Sequence, residues 1–184
     1  MAKHICGIRY EIEGLENLPA TNAVVLCNHQ STWETLFLQT LLPMQTWVLK
    51  KELLWIPFFG WGLGLLQPIA IDRNKKSSIK SLMETGRQRL TEGRYIIVFP
   101  EGTRLKPGEQ RKYSRSGAAL AQATSSYILP IAHNAGNFWP KNSFLKYPGV
   151  IKVCIGKVLD PKHFTVDSLT QSAQEWIYSQ VAEA

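Results

Sequence analysis

Apolar residues recur along this chain in two alternating rhythms: short β-prone runs, and longer stretches in which they return every three or four positions. The runs Val24–Cys27, Thr46–Leu49, Pro68–Ile71, Tyr95–Phe99, Tyr127–Ala132 and Val150–Ile155 read as strands. Residues 8 to 15 alternate well enough for an edge strand, with Ile8, Tyr10 and Ile12 on one face and Pro19 closing it. Helical spacing follows over residues 33–42, with Ser31 or Thr32 as cap, and again from Ser77 or Ser78 to about Glu92, where Gly93 stops the helix. Residues 116–124 and about 166–182 are the remaining helices, the last carrying Leu169, Ala173, Trp176, Ile177 and Val181 on one side. Strand and helix alternate, so the expectation is an α/β fold: a single domain over residues 1–184, with a mostly parallel central sheet flanked by helices. Neither a repeat nor a linker interrupts it.

One stretch departs from both rhythms. Leu53 to Leu66 contains no charge and is rich in Trp, Phe and Gly. It is too short to cross a bilayer, which takes about 20 apolar residues. Two readings stand: a buried helix interrupted by Pro57 and the glycines, or an interfacial segment that also walls an acyl chain.

Charge and cysteine usage narrow the partners. The 184 residues hold 21 Lys and Arg against 14 Asp and Glu, a net +7, so the partner is expected to be anionic: nucleic acid, acidic lipid or a phosphorylated small molecule. Nucleic acid is disfavoured because the aromatics sit in apolar runs and are not interleaved with the basic residues. Cys6, Cys27 and Cys154 are far apart without a CxxC, which argues against zinc or a disulfide framework. No transmembrane span and no signal-peptide core are recognisable.

Candidate chemistry clusters at strand ends. The run Val24–Cys27 leads directly into Asn28-His29, with Glu34 five residues on. In one continuous helix such a pair would lie roughly 140° apart. The two side chains meet only if His29 precedes the helix and Glu34 lies in its first turns. An imidazole oriented by a buried carboxylate can take a proton from a hydroxyl, although a lone His near a Glu is more often a structural pair. Lys50 ends a second strand, Arg73 a third and Glu101–Arg104 a fourth; in an open α/β sheet these ends share one rim. There Arg104 would fork onto a phosphate, with Lys50 and Arg73 helping. No Gly-x-Ser-x-Gly elbow surrounds Ser31, so a serine nucleophile is not expected. His4, His133 and His163 lack a comparable acid and read as surface or loop histidines.

Asn28-His29-Gln30-Ser31-Thr32-Trp33-Glu34 resembles the Asn-His-x4-Asp/Glu block of the glycerolipid acyltransferases, above all the lysophosphatidate acyltransferases. Lys50-Lys51-Glu52-Leu53 with Ile71-Asp72-Arg73, then Phe99-Pro100-Glu101-Gly102-Thr103-Arg104, and Leu129-Pro130-Ile131-Ala132 are similar to the later blocks, in order, across about residues 8 to 160. The resemblance implies transfer of a fatty acyl group from acyl-CoA or acyl-carrier protein to the sn-2 hydroxyl of lysophosphatidate. In that carry-over His29 is the general base and Glu34 its partner. Glu101, Gly102, Thr103 and Arg104 hold the acceptor phosphate, assisted by Lys50 and Arg73. Neither metal nor cofactor is implied, and the expected place is the membrane surface, on the cytoplasmic face of a bacterial inner membrane.

Two departures from the family pattern stand out. The family more often has Asp where this chain has Glu34, so the carboxylate must be placed from a slightly different backbone position. Members usually carry a membrane-inserting segment ahead of the first block. Here only 28 residues precede His29, as in a truncated or short member, and membrane contact would fall to residues 53–66 and the basic surface. The alternatives are an acyltransferase for another lysolipid and a non-catalytic basic module for lipid surfaces.

Overall fold

All four residues of Val24–Cys27 are buried, yet they face two ways. Val24 and Leu26 pack into one hydrophobic layer and Val25 and Cys27 into another, as the two-residue period of a strand requires. This strand is the centre of the molecule. The computed structural model describes residues 2–72 and 77–183, and Arg73 lies outside the described residues.

The strands are β1 (Ile8–Glu13), β2 (Val24–Cys27), β3 (Gln45–Lys50), β4 (Ile69–Ile71), β5 (Tyr95–Val98), β6 (Ile128–His133) and β7 (Gly149–Ile155). They form one sheet in the order β1-β7-β6-β2-β5-β3-β4. From β6 across to β4 all pairings are parallel, whereas β7 runs antiparallel to β6 and carries β1 parallel to itself. The expected mostly parallel sheet is therefore present, with the two reversed strands confined to one edge. The carboxyl ends of β2, β3, β4, β5 and β6 share a single rim.

The helices are α1 (Ala2–Cys6), α2 (Trp33–Leu41), α3 (Phe59–Leu65), α4 (Ser77–Thr91), α5 (Ser116–Thr124) and α6 (Val166–Glu183). One face of the sheet is covered by α4, α5 and α6 through Leu82, Leu120, Leu169 and Ile177. The other face is covered by α2 through Trp33, Phe37 and Leu38. The short helix α1 lacks the length for a periodic signal and has none in the sequence.

Residues 53–66 do not follow the first of their two readings. They form a 3-10 turn over Lys51–Trp55 followed by α3, and the buried-helix reading fails: Trp55, Phe58, Trp61 and Leu65 are 77, 80, 65 and 85% exposed. Gly60 closes against the preceding turn so tightly that a Cβ there would collide with the Leu54 carbonyl oxygen. Phe58 has φ +62°, and the amide of Phe59 donates to the Pro57 carbonyl at 2.7 Å, a three-residue turn of a rare and strained kind. An exposed aromatic is thus held at the apex of a strained bend. Among the described residues no helix is long and apolar enough to cross a membrane.

Candidate active site

The turn leaving β2 is built on Asn28. Its side chain is buried and clamps the end of β6: Nδ2 donates to the His133 carbonyl at 2.9 Å, and Oδ1 accepts from the His133 amide at 3.0 Å. Satisfying both backbone groups of one residue, this amide fixes where His29 leaves the sheet. The His29 amide then donates to Glu101 Oε2 at 2.8 Å, and its carbonyl accepts from the Leu105 amide at 2.8 Å. Its ring lies flat on Phe99, with centroids 4.0 Å apart and an interplanar angle of 11°.

Glu34, in the first turn of α2, reaches back to the imidazole. Its Oε1 lies 2.7 Å from His29 Nδ1 and also accepts the amides of Gln30 at 3.1 Å and Ser31 at 2.9 Å. The i, i+5 spacing works as expected, because residues 28–31 are a turn and the helix begins only at Trp33. The longer side chain of Glu closes the pair without loss of contact. Of the two expected caps, Ser31 accepts the Trp33 amide at 3.1 Å, while Thr32 occupies the cap position without a side-chain bond.

Burial works against the charge on Glu34, yet the two neighbouring histidines and the Ser31 amide outweigh it and hold the carboxyl below its ordinary range. An ionised Glu34 makes Nδ1 of His29 the proton donor, so Nε2 is the basic nitrogen, on a ring that lines the cavity at the rim.

That cavity has a volume of about 540 Å³. Its lining includes His29, the cations Lys50, Arg104 and Lys141 and the turn residues Gly102 and Thr103, together with the apolar side chains of Leu36, Leu49, Leu53, Phe59, Leu63 and Leu66. Cationic and apolar side chains thus border the same space as the His29 ring. Four of these apolar residues, Leu53, Phe59, Leu63 and Leu66, come from the same 53–66 segment that exposes Trp55, Phe58, Trp61 and Leu65. Lys141 was missed by sequence reasoning. Its Nζ donates to the Arg104 carbonyl at 2.7 Å from a loop beyond the recognisable blocks, where no pattern singles it out.

Glu101 stands apart from its expected partners. The Phe99–Gly102 turn, closed by a 3.0 Å bond from the Gly102 amide to the Phe99 carbonyl, points its side chain inward. Gly102 carries the φ of +75° that this tight turn needs. The carboxyl is buried and does not line the cavity. Besides the His29 amide it meets Tyr178 of α6, whose hydroxyl lies 3.2 Å from Oε1. The same hydroxyl accepts the Arg111 amide at 2.9 Å and donates to the Arg111 carbonyl at 2.9 Å, tying the 105–115 loop to the last helix. Burial raises the Glu101 carboxyl to about 7, against the opposing effect of the His29 amide, and the charge of Glu34 adds to the rise.

His133 corrects the expectation of a surface or loop histidine. It is buried at the end of β6, its Nε2 is 2.9 Å from the Asn28 carbonyl oxygen, and its Nδ1 accepts the Ala135 amide at 3.1 Å. Extending the strand-end argument from four strands to β6 would have found it. His4 and His163 are exposed, as expected.

The rim of the parallel sheet thus brings together an imidazole paired with a buried carboxylate, several cationic side chains and an apolar wall. Comparison with known proteins specifies the class. The sequence matches the family described as Acyltransferase over residues 9–134, and the chain belongs to that family. It is 46% identical over 187 residues to the 1-acyl-sn-glycerol-3-phosphate acyltransferase of Pseudomonas aeruginosa, an alignment covering 100% of this chain and 73% of that protein. It is 33% identical over 156 residues to the 1-acyl-sn-glycerol-3-phosphate acyltransferase of Cocos nucifera, covering 83% of this chain but 50% of the plant protein. The fold matches the crystal structure of the 1-acyl-sn-glycerophosphate acyltransferase of Thermotoga maritima with a TM-score of 0.80 at 26% identity, over 95% of this chain and 71% of that one.

Proposed function

We propose that this chain transfers a fatty acyl group from acyl-CoA or acyl-carrier protein to the sn-2 hydroxyl of lysophosphatidate, giving phosphatidate. The observation that carries the reading is a shared cavity: the base His29, the cations Lys50, Arg104 and Lys141, and the apolar wall of residues 53–66 border the same space. Lysophosphatidate has the complementary parts in one molecule, namely a hydroxyl, a phosphate and an acyl chain.

His29 Nε2 removes the hydroxyl proton as that oxygen attacks the thioester carbonyl, and Glu34 stabilises the imidazolium that forms. The tetrahedral intermediate collapses with loss of the carbon–sulfur bond, and the imidazolium returns its proton to the leaving thiolate. Thr32 and Thr35 line the cavity at the start of α2, so the amides and positive dipole end of that helix are placed to favour the developing oxyanion. Arg104, Lys50 and Lys141 meet the phosphate, with Gly102 and Thr103 shaping the turn beside it and Arg73 as a further cation. Glu101 acts from behind, by holding the His29 amide, and not on the phosphate itself.

The exposed ridge of Trp55, Phe58, Trp61 and Leu65 rests on the membrane surface, giving peripheral association beside the cavity mouth. The test is thiol release from acyl-CoA. It should depend on added lysophosphatidate and fall to background in His29→Ala; undiminished release in that variant would remove the mechanism.

A further inference from the structure

Glu34 has two oxygens, and the pairing with His29 uses only one. The second, Oε2, is buried and makes no hydrogen bond among the described residues; facing it, 3.9 Å away, is Nε2 of His133. The tautomer of His133 follows from its partners. Nδ1 accepts the Ala135 N–H, so the ring hydrogen is on Nε2, where it is donated to the Asn28 carbonyl. A second proton would have to go onto Nδ1 and confront the Ala135 N–H. The ring is therefore held neutral by geometry, and burial also lowers its proton affinity, against the pull of Glu34.

We propose that His133 is a positioning residue for acyl transfer: a locked neutral imidazole that fixes the Asn28 carbonyl through Nε2–H and sets the positive end of that group 3.9 Å from the second oxygen of Glu34. This rests on the acyl-transfer reading above. An imidazolium at this place would divide the carboxylate between two cations and repel the charge that must form on His29. A neutral ring leaves that charge to His29 alone, and its dipole still helps keep a buried carboxylate ionised. His29 after β2 and Glu34 on α2 are the titratable groups facing His133, with Cys27 of β2 and Glu101 after β5 in the field of Glu34. Neither Cys27 nor Glu101 supplies positive charge, so the task of keeping Glu34 ionised falls to the two histidines and the turn amides.

The experiment has two arms. Nitrogen-15 spectra of the imidazole rings in the unaltered protein should show His133 in a single Nε2-protonated, neutral form from pH 5 to pH 9. His133→Leu should lower kcat roughly tenfold, the scale of losing one buried polar contact to a charged group. The KM for lysophosphatidate should stay within about twofold, because His133 does not border the cavity. The acid limb of the pH profile should move upward, since a carboxylate without the dipole takes a proton more readily. His133→Gln, which restores an N–H donor, should recover most of kcat and return the limb. An imidazolium or an Nδ1–H form in the spectra would overturn the proposal. So would a Leu variant with unchanged kcat and acid limb, or a Gln variant as impaired as Leu. Should the Leu variant fail to fold, the spectra and the Gln variant decide. Absence of transfer by the unaltered protein would instead overturn the acyl-transfer reading, and the ring spectra would then judge His133 alone.

Discussion

Replacing Glu101 by Gln should make the protein more stable at alkaline pH, and the size of the gain can be worked out. The carboxyl titrates near 7 in the folded chain, against an ordinary value of 4.5. Its folded value is raised, so the folded state binds the proton more tightly, and stability is lost as pH rises from about 4.5 through 7. Between pH 5 and pH 8 the linkage relation gives a loss of about 2.5 kcal/mol from this one group. Gln keeps the contacts: its carbonyl accepts the His29 amide, and its amino group donates to the Tyr178 oxygen, whose proton already serves the Arg111 carbonyl. Urea unfolding of both proteins at pH 5 and pH 8 measures the difference directly. The wild type should lose about 2.5 kcal/mol more than the variant over this interval, equivalent to roughly 5–10 °C in Tm for a chain of this length. Parallel stability curves for the two proteins would refute the assignment of a buried, proton-retaining carboxyl.

Three further outcomes follow from the site. Glu34→Gln keeps an acceptor for the Gln30 and Ser31 amides, so it should fold normally while steady-state turnover drops about a hundredfold or more, because the imidazolium loses its counter-charge. Arg104→Ala should raise the KM for lysophosphatidate about tenfold or more with a smaller change in kcat, as expected when a group that binds ground state and transition state alike is removed. Phe58→Ser with Leu65→Ser should weaken flotation with anionic vesicles while leaving thermal stability nearly unchanged, since both side chains are exposed and support no core.

The sheet was legible because its strands are short apolar runs separated by helical periods, and burial of β2 on both faces leaves a continuous apolar stretch in the sequence. The His29–Glu34 pair was legible because a strand-to-helix turn is the one local geometry that unites residues five apart. The assignment of Glu101 was not, because the direction of its side chain depends on Tyr178, 77 residues away, and on a turn that sends it inward. His133 was hidden for a related reason. Its acid partner comes from another element, so a search for a neighbouring carboxylate in sequence finds nothing. The segment 53–66 could be read either way because composition measures hydrophobicity but not the side from which it is covered.

Leu53, Phe59 and Leu66 belong to the cavity wall and also to the exposed face of the molecule. Along this flank the same side chains border the cavity and the outside. On the proposed function, an acceptor dissolved in a bilayer would enter by a sideways slip past these side chains, with its tail never crossing water. Saturation would be governed by the acceptor's share of the lipid surface, and titrations expressed in bulk molarity would change with the amount of vesicle present.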